Sequence, residues 1–90
     1  SSLVPVVTGT GTVLVVATDF GLYRRDLSAD NYELISGNPG TGLPDGQVLD
    51  LVSIRRNDGS TIVYAGVPGQ GVYRSTDAGA TWSFVGLRET

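Results

Sequence analysis

Residues 75–82 read Ser-Thr-Asp-Ala-Gly-Ala-Thr-Trp, and this octapeptide decides the fold. Its residue types suit the tip of a β-hairpin. Asp77 can accept hydrogen bonds from the backbone N–H groups that follow it, as in an Asx turn. Gly79 can adopt the left-handed conformation that closes such a turn, and Trp82 supplies a large apolar anchor on the sheet. The octapeptide therefore predicts a tight connection between two strands.

The spacing of these residues also resembles a known repeat motif. Ser75 and Thr81 flank the turn and can tie the two strand ends together. The octapeptide fits the pattern Ser-x-Asp-x-Gly-x-Thr-Trp at every specified position. That pattern resembles the Asp-box, or BNR repeat, of sialidase-like and sortilin-like β-propellers. The resemblance implies a propeller blade but no particular activity.

In the family that the octapeptide resembles, Asp-boxes lie on the outer rim of the propeller, away from the catalytic centre. The resemblance therefore implies a structural role, neither catalytic nor metal-binding, for five residues: Ser75, Asp77, Gly79, Thr81 and Trp82. It also slightly favours a secreted or extracytoplasmic location.

The chain contains an internal repeat. Residues 21–24 (Gly-Leu-Tyr-Arg) match residues 71–74 (Gly-Val-Tyr-Arg) at an offset of 50. Upstream, residues 13–17 match residues 61–65 at an offset of 48. We expect the loop at 67–70 to absorb this two-residue difference. A repeat of this length is typical of propeller blades.

Each repeat unit divides into four short strands. The boundaries are runs of Gly, Asp, Asn and Pro, which favour tight turns. No stretch repeats apolar residues at helical spacing, and β-branched residues dominate the runs, so we predict an all-β chain. The predicted strands are Leu3–Thr8, Thr12–Thr18, Gly21–Asp26, Tyr32–Ser36, Gln47–Arg55, Thr61–Val67, Gly71–Ser75 and Thr81–Gly86.

The repeat predicts a first blade at residues 1–36, an inter-blade loop at 37–46 and a second blade at 47–90. The second strand of each unit is apolar at consecutive positions, which predicts burial on both faces. A sheet that is buried on both faces needs a neighbour on each side, as a blade has. The loop holds two prolines, and we expect Leu43 to anchor it to the core rather than leave it a flexible linker.

The first unit departs from the Asp-box pattern. At the matching positions it carries Arg25, Leu27, Ala29, Asn31 and Tyr32. The Asp and the Gly are absent, and only the last position keeps an aromatic residue, Tyr32 in place of Trp. We expect a different turn here, held by nearby polar residues: Asp26, Ser28 and Asp30.

The composition excludes several classes of function. The 90 residues carry a net charge of −3, and all six basic residues are Arg, so no basic patch for nucleic acid is expected. Cys and His are absent, which excludes zinc sites and catalytic groups built on them. The longest apolar run, residues 13–17, is far shorter than the roughly 20 residues that span a bilayer. No signal peptide is visible, and we interpret the N-terminus at Ser1 as processed or trimmed.

Two residues are candidates for ligand binding. Asp50 lies in the apolar run at 48–52, where it faces either the central channel of a propeller or solvent on an alternating strand. Phe20 lies in a two-residue turn, where it is either an exposed ligand contact or a loop anchor. Arg24 and Arg74 occupy equivalent repeat positions. That equivalence favours a salt bridge or outward packing over the carboxylate-binding arginines of sialidases.

Two blades do not complete a propeller, which closes with about 4–8 blades. Alone, they would leave an apolar sheet face open at each end, which soluble monomers rarely tolerate. We therefore expect either a homo-oligomer or the remaining blades of a longer chain. A trimer would close six blades and a tetramer eight.

The function that follows is that of a non-enzymatic β-propeller module that binds a protein or a glycan and needs no cofactor. One alternative is part of a glycoside hydrolase of the sialidase or xyloglucanase type, which would need a carboxylate pair at a defined separation. The other is part of an assembly or sorting scaffold. We expect no nucleic-acid partner and no membrane insertion.

Overall fold

A computed structural model describes residues 2–29 and 31–87. The described residues form eight β-strands and no helix. Accordingly, no helix in these two ranges could cross a membrane. The strands are β1 (Ser2–Thr8), β2 (Gly11–Thr18), β3 (Gly21–Asp26), β4 (Glu33–Leu34), β5 (Asp50–Arg55), β6 (Thr61–Val67), β7 (Gly71–Ser75) and β8 (Ser83–Gly86).

The strands form two separate four-stranded meanders. Sheet 1 has the order β1-β2-β3-β4 and sheet 2 the order β5-β6-β7-β8. Every neighbouring pair is antiparallel. The prediction of an all-β chain with two four-stranded antiparallel sheets is confirmed.

The last strand of sheet 1 is shorter than predicted. The sequence predicts a strand over 32–36, whereas β4 covers only Glu33–Leu34. The N–H groups of Ile35 and Ser36 both donate to the carbonyl oxygen of Leu22, at 2.9 and 3.4 Å. Two donors on one acceptor interrupt the regular ladder, and β4 ends just before this point.

The first strand of sheet 2 also begins later than predicted, at Asp50 rather than Gln47. The N–H of Val48 donates to the carbonyl oxygen of Thr18 at 3.2 Å, and the side chain of Val48 is buried. Val48 therefore joins the two sheets instead of extending β5.

The hairpin turns set the correspondence between the sheets. Thr18 pairs with Gly21 across a two-residue turn, whereas Val67 pairs with Gly71 across a three-residue turn. β2 therefore corresponds to β6 at an offset of 49, and the offset of 48 predicted from the sequence is wrong. Side chains alternate between the two faces of a strand. Matching β2 to β6 at 49 instead of 48 therefore places each residue of β6 on the opposite face from the one that the sequence match assigns to it.

One face of each sheet packs against the other sheet, and we call these the core faces. The core face of sheet 1 carries Val6, Val13, Val15, Ala17 and Leu22. The core face of sheet 2 carries Leu51, Val63, Ala65, Val67 and Tyr73. All ten belong to one buried cluster. The Cα traces of the two sheets come closest between β1 and β5, so the sheets meet at their first strands.

The opposite faces, which we call the open faces, are largely apolar. The open face of sheet 1 carries Leu3, Pro5, Val7, Leu14, Val16 and Tyr23. The open face of sheet 2 carries Val52, Ile54, Ile62, Tyr64, Val72 and Arg74. Val7 is 60% exposed and Val52 is 56% exposed. The predicted burial of the second strands on both faces holds on the core faces; on the open faces Ile62 is buried, and Leu14, Val16 and Tyr64 are half-buried.

The repeated Gly-x-Tyr-Arg segments reveal how the two sheets stack. Tyr23 is half-buried on the open face of sheet 1, whereas Tyr73 is buried in the core. Arg24 lies on a core face, whereas Arg74 is exposed on an open face. The core face of sheet 1 therefore corresponds to the open face of sheet 2, and the sheets stack head to tail rather than face to face.

The connection between the sheets is ordered by hydrogen bonds and one apolar anchor. The N–H of Gly37 donates to the carbonyl oxygen of Leu43 at 2.8 Å. The hydroxyl of Thr41 donates to the carbonyl oxygen of Ile35 at 2.7 Å. Leu43 is 3% exposed and belongs to the core cluster, as the sequence predicts.

Candidate functional site

The hairpin between β7 and β8, residues 75–82, is built around the hydroxyl of Ser75. This buried hydroxyl donates to Oδ1 of Asp77 at 2.8 Å and accepts the N–H of Gly79 at 2.8 Å. The short side chain at the end of β7 thus satisfies two groups of the turn that follows. Ser75 therefore holds the turn against the end of β7.

Asp77 closes the same turn from the solvent side. Its Oδ1 accepts the N–H of Thr81 at 2.9 Å, and its Oδ2 accepts the hydroxyl of Thr81. Partial desolvation would raise the pKa of the Asp77 carboxyl. The hydrogen bonds from Thr81 and Ser75 outweigh that effect together, so the pKa lies below its usual 3.8. The carboxylate stays ionised and serves as a turn acceptor.

Two consecutive residues of the turn have left-handed backbone conformations. Gly79 has φ of +86°, as the sequence predicts, and Ala78 has φ of +60°. Nothing in the residue type of Ala78 indicates this conformation, since left-handed backbone is disfavoured for residues with a Cβ. A Cβ at Gly79 would lie 2.9 Å from Cγ2 of Val15 on sheet 1. The turn is therefore pressed against the neighbouring sheet.

Trp82 anchors the far end of the hairpin in the core. The residue is 6% exposed, and its indole N–H donates to the carbonyl oxygen of Gly79 at 2.8 Å. Its backbone N–H donates to the carbonyl oxygen of Thr41 at 2.7 Å. Trp82 thus ties the hairpin to itself and to the connection between the sheets.

One arginine joins the hairpin to sheet 1. Nε of Arg24 donates to the carbonyl oxygen of Ala78 at 2.9 Å. This contact between side chain and backbone takes the place of the salt bridge that the sequence favours for Arg24. Arg74 is exposed on the open face of sheet 2, which agrees with the predicted outward packing. Arg24 lies between the two sheets and Arg74 on the far side of sheet 2, so the two arginines do not converge on one centre.

The corresponding turn of sheet 1 is held differently. Oδ1 of Asp26 accepts the N–H and the hydroxyl of Ser28, at 2.9 and 2.8 Å, as the sequence expects of this pair. The third predicted residue, Asp30, lies outside the described residues. The guanidinium of Arg25 lies over the ring of Tyr32, 5.5 Å from its centroid. Tyr32 is half-exposed, so it does not reproduce the anchoring of Trp82.

A third aspartate, Asp58, caps a turn in the same way. Oδ1 of Asp58 accepts the N–H and the hydroxyl of Ser60, at 2.9 and 2.6 Å. The hydrogen bonds from Ser60 lower the pKa of Asp58, and those from Ser28 lower the pKa of Asp26. These carboxylates are held in their ionised form, which is the reverse of what a general acid requires.

A cleft of about 520 Å³ opens between the two sheets beside the 75–82 hairpin. It lies between turns that belong to different repeat units, which is why sequence reasoning missed it. Four charged side chains line it: Arg24, Asp26, Arg55 and Asp77. The arginines are hydrogen-bond donors and the aspartates are acceptors, so the cleft can hold a polar ligand through hydrogen bonds.

The two predicted ligand contacts lie apart from this cleft. Phe20 is 82% exposed at the turn between β2 and β3, where its N–H donates to the hydroxyl of Thr18 at 3.1 Å. Asp50 is exposed on the open face of sheet 2, beside a groove of about 230 Å³. The structure places Phe20 on sheet 1 and Asp50 on sheet 2, each in a surface of its own.

Within residues 2–29 and 31–87, no group of three or more acidic, His or Cys side chains is arranged to hold a metal ion.

Comparison of the chain with models of protein families, with curated proteins and with solved structures finds no match.

Proposed function

We propose that the chain forms two blades of an Asp-box β-propeller, a non-enzymatic module that assembles into a closed ring and binds a protein or a glycan. One observation carries the proposal, the head-to-tail stacking in which Arg24 lies on a core face and Arg74 on an open face. Head-to-tail contacts leave a complementary face free at each end and so lead to rings when the rotation closes.

The geometry between the sheets supports blades rather than a closed sandwich. The sheets come closest at their first strands, β1 and β5, as blades do around an axis. Each sheet is a four-stranded meander, which is the blade topology. The octapeptide at 75–82 has the hydrogen bonds of a tight turn and packs between neighbouring sheets.

Ring closure is proposed to come from copies of this chain, three for six blades or four for eight. In a longer chain, further blades would cover the same open faces. Both arrangements bury Val7 and Val52, which belong to the apolar open faces. They differ in the mass of the assembled species.

For the bound ligand we propose a contact by Phe20, which lies at a turn outside both open faces. An aromatic side chain that is 82% exposed at a turn can stack on the apolar face of a sugar ring or pack into a partner protein. Asp50, the other predicted ligand contact, lies on the open face of sheet 2 and would be covered by ring closure. The cleft lined by Arg24 and Asp77 offers a further polar surface.

The non-enzymatic assignment is supported by the state of the carboxylates. Glycoside hydrolysis needs one carboxyl with a raised pKa as the acid. Three described aspartates instead have lowered pKa values and cap turns: Asp26, Asp58 and Asp77.

Two measurements test the proposal. Light scattering of the purified 90-residue chain should give three or four times 9.4 kDa. A folded monomer of 9.4 kDa would contradict ring closure by this chain. A glycan array and a protein pull-down should then find a ligand whose binding weakens in Phe20→Ala. Absence of binding in both assays would leave a purely structural scaffold.

A further inference from the structure

The open face of sheet 2 is equivalent, in the repeat, to the core face of sheet 1, which sheet 2 covers. Its residues correspond to the core face of sheet 1, with Tyr64 at the position of Val15 and Arg74 at the position of Arg24. The core face of sheet 1 receives sheet 2. The open face of sheet 1 corresponds in turn to the core face of sheet 2, with Tyr23 at the position of Tyr73. Each open face therefore has the complement that it needs on another copy of the chain.

We infer that the open face of sheet 2 binds the open face of sheet 1 of a second copy of this chain, in the register of the contact between its own two sheets. This inference rests on the proposed function and specifies which faces meet. Within the chain, Nε of Arg24 donates to the carbonyl oxygen of Ala78. Arg74 occupies the position equivalent to Arg24 and faces the turn after β3 of the second copy.

Burial of apolar area drives the contact. Val7, on one open face, is 60% exposed, and Val52, on the other, is 56% exposed. Other large apolar side chains exposed on or beside these faces are Leu3, Tyr32, Leu34, Ile54 and Val85. Covering such side chains is favourable by about 25 cal/mol for each Å² of apolar surface removed from water.

The contact between copies differs from the one within the chain at two points. Gly79 lies against Val15 with no space for a Cβ. The corresponding pair between copies is Ala29 and Tyr64, which is bulkier. The sheet 1 turn also lacks a buried anchor like Trp82, since Tyr32 is half-exposed. We therefore expect a wider and weaker contact between copies than between the sheets of one chain.

The head-to-tail arrangement can be tested with two variants that each disable one face. Val52→Glu puts a charge on the open face of sheet 2, and Val7→Glu puts one on the open face of sheet 1. Each variant alone should shift from oligomer to 9.4 kDa monomer. Mixed in equal amounts, they should form a dimer of twice that mass, because each keeps the face that the other has lost.

A matched control and a fold check accompany this test. Asn57→Glu adds the same charge at the tip of the β5–β6 hairpin, on neither face, and should leave the mass of the oligomer unchanged. Circular dichroism should show that all variants keep the β-sheet spectrum, since Val7 and Val52 lie outside the core.

The outcomes separate this inference from the proposed function. If the unchanged chain forms an oligomer but one of the two Glu variants also does, the contact pairs identical faces and the inference is wrong, while ring assembly stands. If the mixed variants stay monomeric, the head-to-tail register is likewise wrong. A monomeric unchanged chain would contradict this inference and ring closure by copies of the chain.

Discussion

Nε of Arg24 donates to the carbonyl oxygen of Ala78 at 2.9 Å, a contact between residues 54 positions apart that joins the two sheets. The carbonyl is available because Ala78 and the residue after it have left-handed backbone conformations. The octapeptide hairpin therefore does more than connect two strands. It carries a backbone acceptor to the neighbouring sheet, and its structural role lies in the contact between sheets.

Gly79→Ala tests the close approach of the hairpin to sheet 1. The new Cβ would lie 2.9 Å from Cγ2 of Val15, at a backbone φ of +86°. Strain and overpacking together should lower the free energy of unfolding by about 2–4 kcal/mol. Urea denaturation followed by Trp fluorescence measures the change. Gly59→Ala is the control, because its φ is +88° and nothing lies within 4 Å of the Cβ. That variant should lose only about 1 kcal/mol, and equal losses would show that the contact with Val15 is unimportant.

Gly42→Ala tests the connection between the sheets. A Cβ here would meet the carbonyl oxygen of Trp82 at 2.1 Å, so the backbone of the connection must move away from sheet 2. We expect a loss of at least about 3 kcal/mol in the free energy of unfolding, measured by thermal unfolding in a calorimeter. The matched change is Gly40→Ala in the same connection, where φ is +87° and no atom lies within 4 Å. It should cost about 1 kcal/mol, and a similar cost for both would contradict the close packing at Gly42.

Asp77→Asn tests the turn acceptor through pH. The pKa of Asp77 in the folded state lies below its usual 3.8. The ionised carboxylate therefore contributes stability that is fully present above the unfolded pKa and is lost as pH falls through the lower folded pKa. Near pH 6 the variant should be less stable by about 1–2 kcal/mol, because an amide accepts these hydrogen bonds more weakly. Below about pH 3.8 the difference should shrink. A difference that stays constant from pH 6 to pH 2 would contradict the assignment.

Trp82→Phe tests the indole hydrogen bond. The variant keeps an aromatic ring in the core but removes the donor to the carbonyl oxygen of Gly79. We expect a loss of about 1–3 kcal/mol in the free energy of unfolding, read by circular dichroism because the chain then has no Trp. Tyr32→Phe is the comparison at the corresponding position of sheet 1, where the ring is half-exposed and stacks on Arg25. That change should cost less than about 0.5 kcal/mol.

Local chemistry made much of the fold predictable. Gly, Asp and Asn at the turns, with β-branched residues between them, predict two four-stranded meanders because each hairpin depends on neighbouring residues alone. The hydrogen bonds of Ser75 and Asp77 are local in the same sense. The left-handed conformation of Ala78 was not predictable from its residue type. It is held by the hydrogen bonds on both sides of it and by packing against sheet 1.

The sequence by itself determined the strands, the turns and the presence of a repeat, since these follow from short-range preferences along the chain. Only the tertiary structure decided which face of each sheet is buried. The turns that follow β2 and β6 differ by one residue, so β2 corresponds to β6 at an offset of 49 although β3 corresponds to β7 at an offset of 50, and side chains alternate faces at each residue. Arg24 and Arg74 occupy equivalent positions but have different surroundings. The core face of sheet 1 is covered by sheet 2, whereas the open face of sheet 2 is not covered within the chain.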